Sequence, residues 1–159
     1  MHGSAGHPFD CWLTLLGMRT LHLRLERQSN SALLLANFLL GKKGQLVKVV
    51  HYPGLTSHPH HAIVQNQMSC GGGMLSFEVS DEFVALAVTG AVRLFKHGTT
   101  LGGTESTMEH LRSAEPEGGK ASPEGLLRLS VGLENVQDLI EDMNISLELA
   151  HTLRCQRKD

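Results

Sequence analysis

Between residues 135 and 150 the apolar positions Val136, Leu139, Ile140, Met143, Leu147 and Ala150 recur at the spacing that puts them on one side of a helix. A helix with a single apolar stripe has to be covered by another layer, so this segment constrains the fold most. Asn135 is placed to cap its start, and Asp138 follows three residues later in a position resembling a capping box. The covering layer is sought among alternating segments. Residues 74–79 (M-L-S-F-E-V) and 126–131 (L-L-R-L-S-V) alternate cleanly, and 46–51 (L-V-K-V-V-H) and 91–96 (A-V-R-L-F-K) are short enough to be strands.

The helices expected between them are less regular. Residues 10–40 are dense in leucine and read as mostly helix, with a break at Gly17 and a stop at Gly41. Residues 59–68 predict a short helix with proline in its first turn, and Ser80 is placed to cap another that begins D-E-F-V. Residues 113–125 are the most loop-like part of the chain. Some connections are too short for a parallel crossover. The expected class is therefore α+β: a small mixed or antiparallel sheet of about four strands, with helices on one face.

Composition narrows the function. At 159 residues and 41% hydrophobic content the chain has enough material for one packed core. A net charge of -2 without a basic face, and aromatics at 4%, argue against nucleic acid as a partner. The most apolar run, residues 32–40, is too short to span a bilayer, so no membrane partner is expected. The N-terminal M-H-G-S-A-G-H-P-F-D has no basic region followed by a long apolar run, so no signal peptide is expected. Cys11, Cys70 and Cys155 are odd in number and widely spaced, which points to a reducing, cytoplasmic compartment.

Four groups could carry chemistry. The loop G-T-T-L-G-G-T-E-S (98–106) lacks the lysine of a phosphate-binding Walker loop and the spacing of a dinucleotide fingerprint. His51, His58, His60 and His61 cluster in sequence, but Pro59 interrupts helical pairing and no carboxylate or cysteine lies close, so no metal is expected. No G-x-S-x-G elbow appears, and Cys11 reads as a core residue in a leucine-rich helix. Arg128, between apolar residues on an expected strand, supports two readings: a structural cap on the sheet, or a carboxylate clamp whose planar fork binds two oxygens at once.

The segments H-Y-P-G-L-T-S-H-P-H-H, G-G-G-M-L-S-F-E-V, T-T-L-G-G-T-E-S and L-L-R-L-S-V-G-L-E-N-V-Q-D-L-I-E-D-M follow one another in an order and spacing that resemble a known family. The chain is similar, from about Pro8 to Leu149, to the C-terminal domain of the pyridoxal-phosphate-dependent trans-sulfuration enzymes. These include cystathionine γ-synthase, the cystathionine lyases, methionine γ-lyase and the O-acylhomoserine sulfhydrylases.

That resemblance implies several things. Residues 1–40 would be a leading helix from a cofactor domain, and 41–159 a substrate-side α+β domain of a fold-type I enzyme. Arg128 matches the arginine that holds the substrate α-carboxylate. Thr100 matches the serine that helps hold it, and Thr99 a neighbour that touches the substrate side chain. The implied substrate is a sulfur amino acid such as cystathionine, or an O-acylhomoserine. The implied partners are the cofactor domain or a homologous subunit, since the family is homotetrameric. The cofactor, pyridoxal 5'-phosphate, sits on a lysine in the family, and none of lysines 42, 43, 48, 96, 120 and 158 lies in that context. No residue here is therefore assigned a catalytic or cofactor-binding role, and the chain alone is expected to be inactive. The alternative is a non-catalytic amino-acid-binding module or decoy subunit.

The sequence departs from the family pattern in three places. Thr100 replaces the usual serine, Leu16 replaces a common arginine, and the loop before L-L-R-L-S is short. The reaction type stays open among lyase, synthase and sulfhydrylase, with a lean to cystathionine γ-lyase or γ-synthase.

Overall fold

The computed structural model describes residues 5–116 and 121–157. Six helices, α1 (Pro8–Arg19), α2 (Leu21–Gly41), α3 (His61–Gln67), α4 (Glu82–Ala91), α5 (Leu111–Ala114) and α6 (Val136–Gln156), alternate with strands β1 (Val49–His51), β2 (Met74–Glu78), β3 (Lys96–His97), β4 (Thr107–His110) and β5 (Leu126–Ser130). The strands form one open mixed sheet in the order β1-β2-β5-β4-β3. All pairs are antiparallel except β3 with β4. The α+β class and the mixed sheet are as expected, with five strands rather than about four.

Alternation sorts the sheet into two faces. Register aligns Leu75 with Leu129, Phe77 with Leu127, and Met108 with Leu129. These residues are almost wholly buried, and they share one core with Leu35 and Leu39 of α2, Val88 of α4, and Leu139, Met143 and Leu147 of α6. Each such side chain contributes roughly 1.5–3 kcal/mol by leaving water. The apolar stripe of α6 is the one its sequence predicts, with Ile140 half-buried at its margin. Asn135 caps the helix, its Oδ1 accepting from Gln137 N–H at 2.9 Å.

Several expectations shift. The segment 91–96 is not a strand: α4 runs to Ala91, and pairing starts only at Lys96. Between them the Asp142 carboxylate of α6 accepts from Arg93 N–H and Leu94 N–H, at 3.0 and 2.9 Å, so these amides are satisfied outside a ladder. β1 is shorter than the expected 46–51 strand, and β4 was not expected at all. The cap of α4 is Asp81, whose Oδ1 accepts from Val84 N–H at 3.0 Å; Ser80 instead donates to Asp81. The break near the N-terminus falls at Thr20, because Gly17 stays helical. Arg24 fixes that bend through Nη1, which donates to Gly17 O at 2.9 Å and to Thr20 Oγ1. Cys11 is exposed rather than core, because α1 buries none of its residues. Part of the loop-like stretch 113–125, residues 117–120, lies outside the described residues; Leu111–Ala114 forms the short helix α5.

Candidate functional site

The face of the sheet opposite the helices carries a polar row. Register places His51 beside Ser76, Ser76 beside Arg128, and Arg128 beside Glu109. Arg128 sits on β5, the middle strand, so its backbone is held from both sides. A rigid strand is a good base for a binding side chain. Its guanidinium Nη2 donates to Glu109 Oε2 and to the backbone carbonyl of Thr99, the latter at 3.2 Å. The Arg128 side chain keeps 26% of its exposure and Glu109 only 11%. Both of the guanidinium's hydrogen bonds among the described residues run from Nη2. Nη1 and Nε, which donate from opposite edges of the guanidinium, make no hydrogen bond among the described residues, and Nη1 can donate to a ligand oxygen.

The loop 98–106 is tied down along its length. Gly102 has a φ of 69°, a conformation that favours glycine, and its N–H donates to Ser130 Oγ at 3.0 Å. Gln28 Nε2 of α2 donates to Gly103 O at 2.6 Å, and Leu133 N–H to Thr104 O at 2.9 Å. Ser106 donates to Glu134 twice, from N–H at 2.6 Å and from Oγ at 2.8 Å, while its Oγ accepts from Gly132 N–H at 2.8 Å. Gly132 is packed so closely that an added Cβ would lie 2.5 Å from Thr104 O. The exit of β5 and the loop are therefore one braced unit.

Of the three expected site residues, the structure brings Arg128 and the Thr99 carbonyl into direct contact. Thr99 and Thr100 both have exposed side chains, and Thr100 meets the site through its backbone, its carbonyl accepting from Thr107 Oγ1 at 3.3 Å. Sequence reasoning missed Glu109 and Glu134. Their signals were the alternation of residues 107–110 and the position of Glu134 just beyond β5. Two recesses of similar size exist, about 460 and 450 Å3, and neither is lined by Arg128. The second runs along β4 past His97, Gly98 and Glu109, and so borders the Arg128 set. The first lies at the root of α2, among His22, Leu25, Glu26 and Cys70.

His58 and His60 stay adjacent, with ring centroids 5.8 Å apart, while His51 and His61 bond other partners. His51 Nε2 lies 3.2 Å from Glu78 Oε1, and His61 Nδ1 3.0 Å from Pro53 O. Desolvation, and then the neighbouring His60, His51 and His61, hold the His58 imidazole below its ordinary value. Among the described residues no three metal-ligating side chains converge, and no helix is long and apolar enough to cross a membrane. Lys42 pairs with Glu148 at 3.6 Å, Lys48 Nζ donates to Ser80 O at 2.6 Å, and Lys96 pairs with Glu105. None of these partners is shared with Arg128. Lys120 and Lys158 lie outside the described residues. No lysine amine is among the partners of the Arg128 guanidinium or of Glu109 in the described residues.

The family described as Cys/Met metabolism PLP-dependent enzymes matches residues 1–148. The chain belongs to this family, the pyridoxal-phosphate-dependent enzymes of trans-sulfuration. It is 39% identical over 153 residues to a cystathionine β-lyase of Lactococcus lactis subsp. cremoris, covering 92% of this chain and 40% of the relative. A crystal structure of cystathionine γ-synthase from Xanthomonas oryzae pv. oryzae, in complex with cystathionine, superposes with a TM-score of 0.84 at 37% identity. It covers 93% of this chain and 40% of that one. A Campylobacter jejuni structure described as an O-acetylhomoserine (thiol)-lyase holds an N'-pyridoxyl-lysine-5'-monophosphate. It matches with a TM-score of 0.83 at 32% identity, over 92% of this chain and 36% of that one. The chain therefore spans about two-fifths of the length of these proteins.

Proposed function

We propose that this chain is the substrate-side portion of a pyridoxal-phosphate-dependent trans-sulfuration enzyme of the cystathionine γ-lyase or γ-synthase type. Its task is to hold the α-carboxylate of a sulfur amino acid such as cystathionine, or of an O-acylhomoserine. The observation that carries this reading is the Arg128 guanidinium, fixed through Nη2 by Glu109 and the Thr99 carbonyl while Nη1 remains for a ligand. A charge-assisted N–H···O bond from Nη1 would hold the carboxylate, and with it the amino acid, beside the loop carrying Thr99 and Thr100.

The pyridoxal group supplies the electron sink of the family's chemistry. Lys42, Lys48 and Lys96 bond partners other than those of Arg128, and the reading assigns that group to a portion the chain does not span. In this reading residues 1–40 lead in from that portion, 41–159 form the substrate side, and the chain alone does not turn over substrate. Its setting is cytoplasmic, in keeping with three unpaired cysteines.

Isothermal calorimetry of the chain with cystathionine and with its α-amide tests the assignment. Binding of the acid, loss with the amide, and loss in Arg128→Ala are expected. Equal binding of acid and amide would remove the carboxylate clamp from the account.

A further inference from the structure

Lys96 shares a face of the sheet with Arg128. Register sets Lys96 beside Thr107 of β4, and Arg128 beside Glu109 on the same strand. Phe95 is buried in the core, and His97 lines the recess beside Leu86 and Thr89 of α4. Alternation therefore turns Lys96 to the face that carries Arg128 and Glu109. The chain itself bounds their separation. Lys96 and Thr99 are three residues apart, so their Cα atoms lie at most about 10–11 Å from each other. Thr99 O in turn lies 3.2 Å from Arg128 Nη2.

The backbone position between the two cations carries no side chain. Continued alternation puts Gly98 on their face, next to Glu109. An added Cβ there would find only Thr100 Oγ1 within 4 Å beyond its chain neighbours. The space over Gly98 is therefore open. Among the described residues Lys96 Nζ donates to Glu105 Oε1 alone. The two side chains keep 63% and 62% of their exposure, and an ion pair so open to water is weak. Their backbones are fixed all the same. Lys96 N–H donates to Ser106 O at 2.9 Å, and Ser106, next to Glu105, is bound to Glu134. Such a pair can exchange its internal bond for two bonds to an amino-acid head, with the carboxylate on Lys96 and the ammonium on Glu105.

We propose that Lys96 and Glu105 receive the far amino-acid head of a thioether that carries one at each end, while Arg128 holds the carboxylate of the first. The inference rests on the Arg128 reading above and narrows its substrate class to cystathionine over amino acids with an uncharged far end. An extended chain gains roughly 1.3 Å per bond, so the two α-carbons of cystathionine stand about 6–7 Å apart, and the flexible stem of Lys96 spans the rest.

Isothermal calorimetry of the full chain compares three ligands. Cystathionine has both heads. S-(2-carboxyethyl)homocysteine keeps the far carboxylate and lacks the far ammonium, and methionine ends in a methyl group. At low salt cystathionine should bind about threefold tighter than methionine or more, with the carboxyethyl compound between them, and added salt should shrink the differences. Lys96→Met should abolish the preference over methionine, and Lys96→Arg should keep it. Glu105→Gln should bring the carboxyethyl compound close to cystathionine. Both side chains are exposed, so these variants should melt with the parent. A parent without preference, or a preference that survives Lys96→Met, would overturn the proposal and leave the Arg128 reading standing. Unchanged binding of all three ligands in Arg128→Ala, or no binding of any of them to the parent, would sink that reading and this proposal with it.

Discussion

Arg128 and Glu109 stand directly opposite each other across β5 and β4, and the guanidinium donates from Nη2 to the carboxylate. A cross-strand pair of opposite charge holds both side chains in one geometry, and here both are mostly shielded from water. Removing Glu109 would leave a partly buried guanidinium with a single backbone acceptor. Glu109→Ala should cost about 2 kcal/mol of stability in urea unfolding, and Glu109→Gln, which keeps an acceptor oxygen, about half of that. Equal stability of both variants and the parent would show that the pair contributes nothing.

The site loop depends on a close approach at Gly132. A methyl group there would meet Thr104 O and Glu134 Oε2, each at 2.5 Å. Gly132→Ala should destabilise the chain by about 1–3 kcal/mol, the usual cost of overpacking. It should also raise amide hydrogen exchange at Thr104 and Ser106 by more than the increase that global destabilisation gives in α6.

Asp81 makes stability depend on acid. Desolvation pushes its pKa up. The hydrogen bonds from Val84 N–H and Ser80 Oγ, with Arg154 and Lys48 nearby, outweigh that and leave the carboxyl below its ordinary value of 3.8. The unfolded chain then binds this proton more readily than the folded one. The stabilisation is present above that ordinary value and is lost as pH falls below it through the folded pKa. Thermal melts should show this loss in the parent and a smaller one in Asp81→Asn. Asp81→Ala at neutral pH should cost about 1 kcal/mol through loss of the helix cap.

The centre of the sheet sets a larger scale. Phe77 is fully buried opposite Leu127. Phe77→Ala should cost about 3–5 kcal/mol, a large share of the about 5–15 kcal/mol that holds an ordinary domain folded. Urea unfolding followed by circular dichroism checks this.

What could be read from the sequence was what local periodicity encodes. The stripe of α6 and the alternation of β2 and β5 are properties of short windows, so they, and the layer they demand, were legible. The segment after Ala91 was not, because its amides are satisfied by Asp142, about fifty residues away in sequence and on another helix. A run such as V-R-L-F looks like a strand until a distant carboxylate takes its donors. β4 was missed because Thr107 and Glu109 alternate with Met108 and His110, too mixed and short a pattern to stand out beside a glycine loop. Glu109 was lost with it. Arg128 remained ambiguous from sequence because sheet caps and carboxylate clamps share the same local context; its Nη2 anchoring by Glu109 and Thr99 appears only in three dimensions. Cys11 was misplaced because a leucine-rich helix implies burial, whereas α1 buries none of its residues against the described part of the chain.

The central claim is that Arg128 takes the amino-acid carboxylate. It is tested most directly by titrating isotope-labelled chain with cystathionine and following backbone amide and arginine Nε–H resonances by NMR. The account predicts saturable shifts at Arg128 Nε–H, at Thr99 to Gly102 and at Glu109, all abolished in Arg128→Ala. Saturable shifts confined to the recess around His22 and Cys70, with Arg128 unmoved, would contradict it.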